Sequence, residues 1–214
     1  MNLGIKKSHL GLILILGSFW GLSEAALGMG LRSCASFVSG SIMTGVALFF
    51  MAASWASTRK VISIGLLILV ACLFKLVDAF LLSLPVLHGA VANPIFAFIM
   101  EGAAIVLCLF IFSQKLKHKV YGQAFLGGMA ALVAVNLFPL VKFATGIPAC
   151  VVPGTTYPLS LYYAPLAIAL SLVTVPAGIW LGERIESFSV NFRLAVSPAA
   201  LAICLVLMTI LRLI

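Results

Sequence analysis

Seven apolar runs, each about 20 residues or longer, recur along this chain of 214 residues. About 20 consecutive apolar residues are what an α-helix needs to cross the hydrocarbon core of a bilayer. Inside lipid the backbone must satisfy its own hydrogen bonds, so such runs fold as helices and pack together. The runs cover 9–31, 34–56, 61–86, 91–113, 121–143, 159–181 and 194–213. Composition agrees, with 64% apolar and 8% charged residues against about 25% charged in a soluble domain. The expected fold is an all-α, polytopic integral membrane bundle of about seven transmembrane helices, with 1–214 forming a single transmembrane domain and no soluble domain. A hairpin or interfacial helix in the last run, which ends near Arg212, would make six spans.

Charge sets the orientation. With the N-terminus in the cytoplasm, the inner side holds Lys6, Lys7, Arg59, Lys60, Lys115, Lys117, Lys119, Arg184 and Arg193. The outer side holds Arg32, Lys142 and Arg212. Nine against three is the positive-inside pattern, and it alternates through every loop. The net charge of +8 therefore reads as topology and excludes nucleic acid as a partner. Lys6-Lys7 followed by an apolar stretch resembles a signal peptide, but the stretch continues to about Leu31 and reads as an uncleaved first span. The expected location is a membrane, most simply a prokaryotic cytoplasmic one.

Five residues are acidic, and three of them, Glu24, Asp78 and Glu101, fall inside the apolar runs. Lys75 is the other charge at such depth. Ionisable groups in hydrocarbon cost a few kcal/mol or more and mark functional sites by default. All four fall in the middle-to-outer part of their spans. Asn93 and Asn136 share that layer, and Trp20, Tyr157, Tyr162 and Tyr163 fall at comparable or shallower depth. The expected substrate-binding set is Glu24, Lys75, Asp78, Glu101, Asn93, Trp20, Asn136 and Tyr162. Lys75 and Asp78, at i and i+3, can pair on one helix face. Gly17, Glu24 and Gly28 share a face, with Gly21 beside it, which turns Glu24 towards a close helix neighbour rather than lipid. Pro94 reads as a helix start.

Three carboxylates against one ammonium leave a formal −2 in this layer. Two uncompensated charges at low dielectric are costly, so protons, a cation or a cationic solute should complete the site, or Arg32 and Lys142 should reach in. If a metal binds, the candidates are Glu24, Asp78, Glu101 and His88; such oxygen donors suit hard cations.

Other chemistry has little support. No P-loop, dinucleotide fingerprint, zinc spacing, nucleophile elbow or HExxH is present. His9, His88 and His118 lie at span ends, which does not suit haem, and the five cysteines contain no CxxC for an iron–sulfur cluster. Cys72, Cys108 and Cys204 read as small apolar residues. Cys34 and Cys150 both approach the outer surface, where an oxidising side would allow a disulfide. The outer connection 144–157, rich in Gly, Pro and Thr, reads either as a partly buried lid or re-entrant turn or as a surface loop. The stretch from Gly182 to Arg193 is taken as a break between spans, its Glu183 and Glu186 more a solvated loop than a docking surface.

Size, a compact bundle, an outer-half polar pocket and a small-residue first helix with Gly17, Gly21, Ala25 and Ala26 resemble the substrate-binding S components of energy-coupling-factor importers. That resemblance implies a vitamin-like or metal substrate, with a cytoplasmic ATPase and a transmembrane partner supplied in trans. The leading expectation is a transport subunit, more a binding protein than an enzyme, that holds a small solute or cation. Its rivals are a proton- or quinone-handling anchor subunit of a redox complex, and an intramembrane enzyme.

Overall fold

A computed structural model of the chain describes residues 7–29, 37–112, 119–146, 150–186 and 190–213. Seven of its helices are long and apolar enough to cross a membrane. They are α1 (Lys7–Met29), α2 (Phe37–Thr58), α3 (Ile62–Leu81), α4 (Gly89–Ile111), α5 (Val120–Leu137), α7 (Leu159–Glu186) and α8 (Val190–Leu213). A short α6 (Val141–Thr145) follows a 3-10 turn, Phe138–Leu140, after α5. The chain is an integral membrane helical bundle, and its last apolar run is a single helix long and apolar enough to span.

Helix ends follow local chemistry. α3 stops at Leu81, short of the expected 86, because Ser83 takes a positive φ of 53° and Pro85 follows. α4 starts earlier than expected, since the His88 side chain caps it by accepting from the Ala90 N–H at 3.2 Å. Pro94 consequently lies inside the helix rather than at its start. α5 gives way to the 3-10 turn at Pro139. At the other end of the bundle α7 runs through the expected break at Gly182 and carries Glu183 and Glu186 in its last turns. There Glu183 pairs with Arg59 at 2.6 Å, both side chains about half exposed.

The core forms where α2, the most buried span, meets its neighbours. α2 and α7 make the largest helix contact, followed by α5 with α7 and α1 with α8. Small residues permit the first of these. A Cβ at Gly178 would strike the Phe49 carbonyl oxygen, and one at Gly182 the Ala53 carbonyl oxygen, so the two backbones touch over a helical turn. α1 meets α3 through side chains seated on its glycines, with Val70 2.7 Å from the position of a Cβ on Gly17 and Phe74 packed onto Gly21. α8 stands at the periphery, packed on α1 with a minor contact to α3. Its Ile203, Val206, Leu207 and Ile210 are turned outward.

The described part of the outer connection is a surface turn. Residues 153–157 are exposed, Gly154 takes φ +77°, and a single antiparallel bridge joins Val151 to Pro158. Cys150 is disulfide-bonded, and Cys72, Cys108 and Cys204 are free thiols. Cys34 and Arg32, like Lys115, Lys117 and His118, lie outside the described residues.

Candidate functional site

Antiparallel alternation brings the C-terminal parts of α1, α3 and α8 to the same end of the bundle as the N-terminal parts of α2, α4 and α7. A cavity of about 470 Å³ opens between them. Glu24 and Gly28 come from α1, Thr44 from α2, Lys75 and Asp78 from α3, and Asn93 and Glu101 from α4. Phe138 follows α5, Tyr163 and Ser160 start α7, and Arg212 ends α8. The polar groups are set in an apolar wall that includes Met43, Leu82, Ala97 and Phe98. The charged layer inferred from depth along each span is thus gathered into a single space.

Asp78 is the most heavily bound acid. Its Oδ2 accepts from Lys75 Nζ at 3.2 Å and from Arg212 Nη2 at 2.9 Å, and its Oδ1 accepts from Arg212 Nε. A fork of two parallel bonds is what arginine offers a carboxylate and lysine does not. Arg212 Nη2 also donates to the Ala25 carbonyl at 3.3 Å, so one guanidinium ties α8 to α3 and α1. All three side chains are nearly buried, Lys75 and Arg212 at 9% exposure and Asp78 at 3%.

Glu24 and Glu101 differ from Asp78. Among the described residues neither makes an ion pair. Glu24 Oε1 accepts a long bond, 3.4 Å, from the Trp20 indole, while its Oε2 is buried without a hydrogen-bond partner. Lys75 is near enough to act on Glu24 electrostatically, and Glu24 in turn on Glu101. The Thr44 hydroxyl lies within hydrogen-bonding reach of Glu101 and of Tyr163. Asn93 Oδ1 and Ser160 Oγ, both on cavity-lining residues, are also buried without a partner.

Several expected members take other places. Trp20 is fully buried behind Glu24, with its ring 4.9 Å from that of Phe98, and is absent from the wall. Asn136 is exposed and turns its amide to the Leu132 carbonyl at 2.7 Å. Tyr162 points outward at 52% exposure, and its neighbour Tyr163 lines the cavity instead. The four candidate metal ligands, Glu24, Asp78, Glu101 and His88, all line the cavity. Among the described residues no three of His, Cys, Asp and Glu come together as ligands. Asp78 accepts from two cations, and the His88 Nδ1 is engaged as the α4 cap. The Lys142 side chain lies outside the described residues.

Arg212, Thr44 and Ser160 were not singled out as site residues by the sequence. Arg212 carried a signal, since the formal −2 asked for further positive charge. Hydroxyl residues are cheap to bury and gave none. Comparison with protein-family models, with curated proteins and with solved structures produced no match.

Proposed function

We propose that the protein is the solute-binding, membrane-embedded subunit of a transport system, and that its solute occupies the cavity lined by Glu24, Asp78 and Glu101. The observation that carries this reading is the cavity itself. It is about 470 Å³, within the roughly 300–1,000 Å³ typical of small-molecule sites, and apolar walls hold a few convergent polar groups. Every one of the seven spans, or the turn that follows it, contributes to it. A purely structural charge cluster needs no such space.

The Lys and Arg bias places the cavity's end of the bundle outside, so solute would enter from there. The chain carries no nucleotide-binding motif, so energy would come from an ion gradient or from a partner subunit in trans. The likeness in form to energy-coupling-factor S components supports the second source.

A plug tests the reading without touching any charge. Ala97 lines the cavity from α4, and Ala97→Phe fills part of it. A thermal-shift screen of the detergent-purified chain against amines, amino acids, nucleosides, vitamins and divalent cations should find solutes that raise the melting temperature saturably. Ligand at 100 times its Kd stabilises by about 2.7 kcal/mol, a shift of several degrees. Ala97→Phe should abolish every such shift. Shifts that persist unchanged in the plugged variant would place binding elsewhere and sink the proposal.

A further inference from the structure

We infer that the solute carries a single positive charge on a hydrogen-bond-donating nitrogen, and that this ammonium group sits between Glu24 and Glu101 with an apolar body against Phe98, Phe138 and Met43. The inference rests on the solute-binding reading above and names the class of solute. Three observations carry it.

The first is the charge count. Among the described wall residues, three carboxylates face Lys75 and Arg212, which leaves a formal −1. Both cations are hydrogen-bonded to Asp78, so the acids without an ion-pair partner among the described residues are Glu24 and Glu101, with Lys75 acting on Glu24 only electrostatically. One positive charge on the solute balances the remaining negative one. The second is the direction of the unmet hydrogen bonds. Glu24 is 3% exposed, and its Oε2 is buried and unbonded on a residue that lines the cavity. Asn93 Oδ1 and Ser160 Oγ are buried and unbonded on the same wall. A carboxylate and an amide oxygen only accept, and a hydroxyl can accept, so the complementary ligand is a donor. An ammonium supplies three donors and a positive charge together. The third is the fate of the cations. Lys75 and Arg212 already donate to Asp78, and Arg212 also to the Ala25 carbonyl, so part of their positive charge is matched before any solute arrives.

The test compares matched probes on the full-length purified chain. Benzylamine, tyramine and cyclohexylamine carry an ammonium on a compact apolar body. Their N-acetyl derivatives keep the body and remove the charge, and benzoate reverses it. Binding is read by thermal shift and by isothermal titration. The amines should bind about ten- to a hundredfold more tightly than their N-acetyl forms, the usual worth of a charge-assisted hydrogen bond. Benzoate should not bind. Glu24→Gln and Glu101→Gln should each weaken the amines about tenfold or more and bring them towards the acetylated probes. The wild-type comparison stands even if a variant fails to fold.

Equal binding of amines and acetyl derivatives, or preference for benzoate, would overturn the inference while leaving a solute site in place; protons shared by Glu24 and Glu101 would give that result. If no solute of any charge shifts the protein and Ala97→Phe is silent, the solute-binding reading falls, and this inference with it.

Discussion

Replacing Asp78 with alanine should destabilise the protein by about 3–5 kcal/mol, the cost of breaking a buried ion pair by removing one partner. Among the described residues Asp78 is the acid bonded to two nearly buried cations, Lys75 and Arg212. Without it both charges stand at low dielectric, and Arg212 keeps one bond to the Ala25 carbonyl. Arg212→Met should cost less, because Lys75 and Asp78 still balance each other. The pair can be isolated by a double-mutant cycle on Asp78→Ala and Arg212→Met, read by equilibrium unfolding in mixed micelles. Residues in one such network couple by about 0.5–3 kcal/mol, so the double variant should be more stable than the sum of the singles implies. Additive effects, or an Asp78→Ala protein as stable as the wild type, would contradict the bonding described here.

The second large effect is steric. Gly178→Leu should cost about 1–3 kcal/mol or more, because a side chain there meets main chain and not a movable neighbour. The Phe49 carbonyl oxygen already occupies the place of a Cβ on Gly178. α7 would have to lift off α2, its largest contact, and would drag Gly182 from the Ala53 carbonyl with it. Gly65 is the control. It is exposed on α3 with no atom within 4 Å of its Cβ position. Gly65→Ala should be neutral or stabilising by up to about 1 kcal/mol, since alanine is the better helix former. Melting curves of the purified variants decide it, and a Gly178→Leu protein that melts with the wild type would be incompatible with the packing.

Much of the bundle was written in the sequence because lipid imposes a coarse rule. Length and apolarity located seven spans, and the expense of Glu24, Asp78 and Glu101 located the charged layer. What failed was finer than depth. The rule reports how far along a helix a residue sits but not which way it faces. Asn136 shares the depth of the site yet turns to its own helix carbonyl, and Tyr162 and Tyr163 exchange roles across one residue, a rotation of about 100°. Trp20 supports the site from behind. Arg212 escaped for a different reason. It lies in the last turn of α8, and a long side chain at the end of a span is expected to reach for water. Only the docking of α8 on α1 makes the inward reach to Asp78 possible, and that contact has no local sequence signature. Helix ends drifted where capping won over hydropathy, as at His88, and where a charged tail stayed helical, as at Glu183 to Glu186.

The Lys75–Asp78–Arg212 cluster also bears on how the chain enters the membrane. Its members are not made together. Arg212 follows Asp78 by 134 residues, so α3 leaves the ribosome long before α8 exists. A lone aspartate in α3 carries a cost of insertion, below the about +2.5 to +3.5 kcal/mol of a helix centre because Asp78 lies in the last turn of the helix. Lys75, three residues away, gives α3 its own counter-ion, and the helix can be handed to lipid as a locally neutral segment. Arg212 then arrives last and finds an acid already waiting in the fold. Asp78 thus has one partner within its own helix and a second from a helix made much later.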